Sequence, residues 1–280
     1  MARIAVIGIA GMSVFMGVEH FHAEGETLHA KSLFTEIGGK GINQAVAAAR
    51  MGAEVSFLCA VGDDAAATEC ARVAEENGIR AHLAVKKGRA TPYACILTDK
   101  RGANRVTVYK DACLAPSDAD DFAEMIAKSD ILLLQNEVPE AVNARAIEIA
   151  KAHGVRVILN PAPARPMDGA VARDIYLVTP NEQEAALLPQ SGFVHCITTL
   201  GGEGCDVDGK EKIPATSAKA VDTTGAGDTF NGALAAFLAE GLSLGRAAVL
   251  ANRAAGISVT RRGVLAAIPY RNEILEGEKQ

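Results

Sequence analysis

Apolar and polar positions along this chain fall into two kinds of stretch that take turns. Short unbroken apolar runs at 4–9, 54–60, 131–135, 155–159 and 176–179 read as strands buried on both faces. Between them, apolar residues recur at helical spacing. That spacing predicts helices over 41–51, 65–77, 119–128, 139–153 and 181–188, then over 227–240, 244–260 and 270–277. Strands over 195–199 and 204–207 continue the series, the second turning at Asp208-Gly209, a common hairpin pair. Such alternation predicts a mostly parallel central sheet with helices on both faces, a three-layer α/β/α domain. Two segments break the rhythm. Residues 12–36 and 90–112 alternate polar and apolar side chains, and 91–98 and 104–109 flank Asp99-Lys100-Arg101-Gly102 as a hairpin would. These pieces, distant in sequence, are able to pair as one small sheet.

Composition narrows the picture. With 280 residues and 49% hydrophobic side chains, the chain can bury one large core. The net charge of −6 argues against a nucleic-acid partner, although a local anion site needs no global charge. No stretch approaches the ~20 apolar residues of a membrane span. Residues 3–11 are too short for a signal peptide core and lack a cleavage site, so a first buried strand is expected there, in a cytoplasmic protein. The six cysteines form no C-x-x-C pair and sit mostly in apolar runs, so they read as buried thiols without a disulfide framework or zinc site. The histidines show no metal spacing; His20 and His22 share a strand face and are expected to be exposed.

The chemistry concentrates in Ala220-Val221-Asp222-Thr223-Thr224-Gly225-Ala226-Gly227-Asp228-Thr229-Phe230-Asn231-Gly232. Residues 220–225 read as a strand end and turn. From Ala226 the pattern is helical, with Phe230, Leu234 and Phe237 on one face. The first N–H groups of such a helix lack intrahelical partners and lie at the positive end of its dipole, a setting that holds phosphate oxygens. Asp228 sits in the same turn, where a carboxylate can take a proton from a hydroxyl. Asp in a first helical turn also stabilises the dipole by ~0.3–1 kcal/mol with no further role. A second block, Gly38-Gly39-Lys40-Gly41-Ile42-Asn43-Gln44-Ala45-Val46-Ala47-Ala48-Ala49-Arg50-Met51-Gly52-Ala53, is a glycine-rich turn opening an Ala-rich helix that Gly52 ends. Its small residues permit close helix contacts. Gly39 and Gly41 expose backbone, and Lys40 and Asn43 offer polar heads for hydroxyls. Gly204-Cys205-Asp206-Val207-Asp208-Gly209-Lys210 imitates a P-loop, but Glu211 stands where Ser or Thr is needed and the match falls on a hairpin.

Together these two runs resemble the two signatures of the ribokinase (PfkB-type) carbohydrate kinase family, and the resemblance extends over most of the chain. It implies a ribokinase-like domain spanning 1–280, with 12–36 and 90–112 forming an inserted β-sheet lid over the substrate mouth. It implies ATP-dependent phosphorylation of a primary hydroxyl of a sugar. Asp228 would be the base, with the N–H groups of Gly225, Ala226 and Gly227 stabilising the moving phosphoryl group. Gly11, Ser13, Gly39, Lys40, Gly41, Asn43 and Glu137 would face the substrate. Asn181, Thr199, Gly201, Gly204, Gly227 and Asn252 would face the nucleotide. Asn181-Glu182-Gln183-Glu184 resembles the family's N-x-x-E element, so Asn181 and Glu184 would hold Mg²⁺ largely through water, in keeping with that ion's retained hydration. Asp222, Thr224, Ser258, Arg261 and Gly263 resemble the loops that enclose a monovalent cation, for which K⁺ suits a backbone-oxygen cage. A homodimer through the lid sheet is a further expectation.

Two departures stand out. Where ribokinases carry N-x-D after the first strand, this chain reads Gly11-Met12-Ser13. Losing a bidentate sugar contact from a buried site costs several kcal/mol of binding. Met12, Phe15 and Met16 nearby suit a substrate with an apolar part, which makes a nucleoside kinase of the same family the alternative. A non-catalytic sugar- or nucleotide-sensing protein on the same scaffold is a reading of another class, which the intact Asp228 opposes. The second departure is a deletion: a short turn between Leu188 and Val194 replaces a helix, leaving one sheet face open or covered by a partner.

Overall fold

The structure, a computed structural model, describes residues 1–189 and 191–276. Thirteen strands occur in chain order among them. They are β1 (Arg3–Ile7), β2 (Gly11–Gly17), β3 (Ser32–Gly38), β4 (Glu54–Val61), β5 (Arg80–Val85), β6 (Tyr93–Thr98) and β7 (Asn104–Tyr109). There follow β8 (Ile131–Gln135), β9 (Arg156–Asn160), β10 (Leu177–Val178), β11 (His195–Thr199), β12 (Cys205–Val207) and β13 (Glu211–Ile213). Nine of them form one sheet in the order β13-β12-β11-β10-β9-β8-β1-β4-β5, parallel from β11 to β5 and closed at the other edge by the antiparallel β12–β13 hairpin. The other four form a separate sheet, β3-β2-β6-β7.

Strand pleating divides the core in two. Ile4, Val6, Ile131 and Leu133 point to one face, where the helices Lys40–Arg50, Ala65–Glu76, Ala226–Ala239 and Leu244–Ser258 pack. Ala5, Ile7, Leu132 and Leu134 point to the other, under the helix Glu140–Ala152. Alternate residues of one strand thus feed opposite layers, which is why both faces read as apolar in sequence.

The expected architecture is present, with local differences. Strand β5 has a charged, half-buried edge pattern and falls outside the elements predicted from apolar runs. The expected helix over 119–128 is two short helices, Pro116–Asp121 and Ala123–Ala127, broken at Phe122. The helix expected over 270–277 runs Arg271–Leu275, its last residue lying outside the described ones. The short turn expected between 188 and 194 includes position 190, also outside them; beside it Leu187 and Val194 are exposed. His20 and His22 share no strand, because β2 ends at Gly17, although both are exposed as expected. Not every thiol is buried: Cys113 is exposed, and Cys95 and Cys196 are half-buried. No described helix is long and apolar enough to cross a membrane.

The helices Lys40–Arg50 and Ala226–Ala239 carry the two glycine-rich runs and cross against each other. Ala45, Ala47 and Ala48 are fully buried in that contact, and a Cβ on Gly232 would run into the Gln44 carbonyl oxygen and the Ala47 methyl. A bulky residue at 232 therefore forces the two helices apart. Gly232→Val is expected to lower stability by about 3 kcal/mol in urea unfolding, through overpacking at a backbone contact. A wild-type midpoint would show that the contact is looser than its geometry requires.

Candidate functional site

The helix Ala226–Ala239 begins at the mouth of a cavity. Its cap, Gly225, has φ 76°, a left-handed conformation that leaves the next N–H groups pointing outward. Ala226 N–H leans back onto the Thr223 carbonyl at 3.3 Å, so it is partly occupied. The N–H groups of Gly225, Gly227 and Asp228 have no acceptor among the described residues. No heavy atom lies within 4 Å of where a Gly227 Cβ would stand. Open space therefore meets unpaired donors at a positive helix end, the arrangement that suits a phosphate oxygen.

Asp228 is 6% exposed and forms part of the wall of a cavity of about 440 Å³. Lys40, Asn43, Glu137, Thr224, Ser13, Gly11 and Gly39 share that wall. Gly41 does not; it is packed against the backbone of Gly8 and Ile9. The Asn43 amide donates to Asp228 Oδ2 at 2.9 Å, and the Gln44 amide donates to Oδ1 at 3.0 Å. Oδ1 of Asn43 is buried with no partner among the described residues. Lys40 is held above its usual pKa, first by the negative charge of Asp228 and against burial, with Glu137 and Glu184 adding to it. Its backbone N–H donates to Glu137 Oε2 at 2.7 Å, yet burial outweighs the pull of Lys40 and pushes the Glu137 carboxyl up.

Gln44 continues the polar contacts inward. Its Nε2 also donates to Asn160 Oδ1 at 3.1 Å, and its Oε1 accepts from Gln135 Nε2 at 2.8 Å. Asn160 Nδ2 donates to the Thr179 carbonyl at 3.1 Å, and Thr179 Oγ1 donates to Asn231 Oδ1 at 2.6 Å. Asn231 Nδ2 returns to the Gly227 carbonyl at 2.8 Å. Sequence reasoning missed this circuit; its one visible sign is a glutamine on the buried face of an Ala-rich helix.

The small sheet closes the cavity from above. Ser13, Phe15, Phe34, Glu36, Ala94, Ile96, Val106 and Val108 lie on its inner face. Phe15 and Phe34 stack with ring centroids 4.5 Å apart. Glu36, which sequence reasoning also missed, accepts the Val264 N–H at 3.0 Å and ties this sheet to the main body. An acid in an alternating strand looks solvated from sequence alone, but burial and then the like charge of Asp222 push its carboxyl up. A second chamber, about 560 Å³, continues from the first past Phe15 and Thr224, with Lys31, Lys100 and Arg262 on its walls.

Asn181 and Thr199 meet across a parallel bridge, and Gly201 and Gly204 bracket a short turn after β11. Asn181 caps the helix Glu182–Ala185: its Oδ1 accepts the Glu184 N–H at 2.8 Å, while Glu184 Oε2 accepts the Asn181 N–H at 2.9 Å. Asn252 is buried, and its amide donates to Cys205 Sγ at 3.4 Å and the Ile213 carbonyl at 3.3 Å. It thus holds the β12–β13 hairpin. Asp222 joins two loops, accepting from Thr224 N–H at 3.0 Å and Gly263 N–H at 3.3 Å. The Ser258 carbonyl accepts the Arg261 N–H at 3.0 Å, and the Arg261 side chain pairs with Glu273.

Comparison with known proteins follows the same lines. The pfkB family carbohydrate kinase model matches residues 1–271. Ribokinase of Bacillus subtilis (strain 168) is 36% identical over 290 residues, covering 99% of both chains. The structure of ribokinase from Giardia lamblia superposes with a TM-score of 0.89 at 27% identity, covering 99% of this chain and 98% of that one. That of Arabidopsis thaliana ribokinase complexed with ribose and ATP gives 0.86 at 28% identity, again covering 99% and 98%.

The raised Glu36 carboxyl has a measurable consequence. A group whose folded pKa lies above its unfolded value contributes stability present below the unfolded pKa and lost as pH rises through the folded one. Glu36→Gln should therefore match wild type below about pH 4, the ordinary glutamate range, and become relatively more stable as pH rises. Melting temperature of both proteins against pH reads this out; a constant difference would show that Glu36 titrates as an exposed acid.

Proposed function

The chain belongs to the pfkB family of carbohydrate kinases, and from that premise we propose how its residues carry the terminal phosphoryl group of ATP to a sugar hydroxyl. The protein is an ATP-dependent sugar kinase, a phosphotransferase with an alcohol acceptor. One observation carries the assignment of atoms: the Asp228 carboxylate lines the cavity, and the unpaired N–H groups of Gly225, Gly227 and Asp228 lie in the turn that opens its own helix.

In this reading the acceptor lies in the cavity under the small sheet, with its hydroxyl against Asp228. Asn43 Oδ1, the unpartnered buried acceptor, takes a second hydroxyl of the sugar. Asp228 accepts the hydroxyl proton as the oxygen attacks the terminal phosphorus, and the bond to the ADP oxygen breaks on the opposite side. Charge on the moving group is met by the N–H groups of Gly225 and Gly227, aided by Lys40, whose ammonium stays protonated beside Asp228. Because Ala226 N–H is shared with Thr223, it contributes less than its neighbours. The nucleotide follows the line from Gly227 toward Thr199, Gly201 and Gly204, past Asn181, with Asn252 supporting that wall from behind.

For Mg²⁺ the donor set fits indirect binding. Glu184 spends one oxygen on its own helix cap and is close enough to Lys40 to raise its pKa, which puts its charge near the phosphate path. Asn181 and Glu184 would hold the ion there through water, and it would supply positive charge beside the phosphates. For K⁺, Asp222 holds the 222–224 turn and the Gly263 loop together, and backbone oxygens of the two would supply the cage. The exposed Leu33, Tyr93 and Tyr109 on the outer face of the small sheet support a second copy covering it.

A nucleoside acceptor is the second reading, and the second chamber favours it. Its mouth at the stacked Phe15–Phe34 pair offers an apolar, aromatic surface of the kind a base requires.

Asp228→Asn should lower turnover about a thousandfold while leaving ATP binding within about twofold, because the amide keeps the shape but not the base. ADP release measured over a panel of free pentoses, hexoses and nucleosides checks both claims. Wild-type turnover in the variant would remove Asp228 from its role, and a clear preference for free ribose would remove the nucleoside reading.

A further inference from the structure

We propose that Gln44 is the positioning residue of the transfer site: it fixes the Asp228 carboxylate and ties it to the turn that presents the unpaired N–H groups. This rests on the reading of Asp228 as the base.

Gln44 is fully buried, and it is absent from the cavity wall that Asn43 helps to form. It therefore acts on the substrate only through other groups. Both hydrogens of its amide are used, one on Asp228 Oδ1 and one on Asn160 Oδ1, at 3.0 and 3.1 Å. Its oxygen accepts from Gln135 Nε2 at 2.8 Å. Exchanging the amide's nitrogen and oxygen would set an acceptor against both Asp228 and Asn160, so the orientation is determined by its partners. Those partners come from β8, β9 and the helix Ala226–Ala239, while Gln44 itself belongs to the helix Lys40–Arg50. Four elements thus converge on one carboxamide.

The consequence for Asp228 is a fixed plane. Gln44 holds Oδ1 from the core side, and Asn43 holds Oδ2 from the cavity side. Turning the carboxylate about its last bond breaks both contacts. From Asn160 the circuit runs through Thr179 and Asn231 to the carbonyl of Gly227. The base and the anion-binding turn are therefore set relative to each other through Gln44, and not only through the one peptide unit that joins them. A group aimed during folding needs no reorganisation during reaction, and that is where preorganised sites gain their rate.

The test is a double-mutant cycle read by steady-state kinetics. Gln44→Leu keeps most of the bulk and removes both donated hydrogens. In the otherwise wild-type enzyme, kcat should fall about 10- to 100-fold, with KM for ATP and for the acceptor within about twofold. In an Asp228→Asn background, the same change should cost nothing further, because the carboxylate it positions is gone. Gln44→Asn, which draws the amide back by one methylene, should give the same pattern and serves where the leucine variant does not fold. An unchanged kcat in either folded variant overturns the proposal. So does an equal loss in both backgrounds, which is what a purely structural role would give. A loss confined to KM would overturn it as well. The single Asp228→Asn variant separates the two layers. If it is inactive while Gln44→Leu is fully active, only the positioning role fails; if it keeps wild-type turnover, the base fails and the positioning role with it.

Discussion

A carboxylate placed almost wholly out of water, with an amide hydrogen on each oxygen, is the constraint around which this molecule is arranged. Burying Asp228 is costly unless its oxygens stay hydrogen-bonded, and Asn43 and Gln44 meet that need from a neighbouring helix. They do so only if the helices Lys40–Arg50 and Ala226–Ala239 approach closely. That approach explains Ala45, Ala47, Ala48 and Gly232 along the contact. Small residues in the packing layer and long amides at its end are thus one device. The first lets the backbones meet, and the second uses the meeting to hold a charge.

The same logic sets the site at the carboxyl ends of parallel strands. Gln135 and Asn160 are the last residues of β8 and β9. At strand ends the apolar run stops and polar side chains have room to turn toward one another, which is the general location of ligand sites in open parallel sheets. The small sheet then supplies the roof. Its inner face is apolar where Phe15, Phe34, Ile96, Val106 and Val108 line up, so a ligand seated beneath it would remove apolar surface from water. Glu36 reaching Val264 makes the roof and the body mechanically continuous at one edge.

The parts legible in the sequence are those whose physics is local. Buried parallel strands show as unbroken apolar runs, the roof as stretches of mixed polar and apolar residues, and the glycine turn that opens the Asp228 helix as adjacent residues 225–228. Strand β5 escaped because an edge strand is half exposed and mixes Arg80 and His82 with its apolar residues. The break at Phe122 in the expected helix escaped because no glycine or proline marks it in 119–128. Gln44, Gln135, Asn160, Thr179 and Asn231 were invisible as a group for a deeper reason. Each looks like an isolated polar residue within its own segment, and only the sheet order brings them within hydrogen-bond reach. Cys113 shows the reverse error, since an apolar neighbourhood in sequence did not ensure burial in space.

Register also changes what the altered Gly11-Met12-Ser13 run means. Read along the chain, position 13 has exchanged an acid for a hydroxyl. Read across the sheet, Ser13 pairs directly with Glu36, and both side chains face the same cavity. Directly opposed residues of an antiparallel pair have their Cβ atoms about 5 Å apart, so an acid at 36 stands where a side chain from 13 would also reach. The cavity roof therefore keeps a carboxyl on its wall, carried by the neighbouring strand. Its character is different: one oxygen is already committed to Val264, and burial favours its protonated form. Ser13 and Glu36 are thus one cross-strand pair on the cavity roof, and neither position read alone describes that wall.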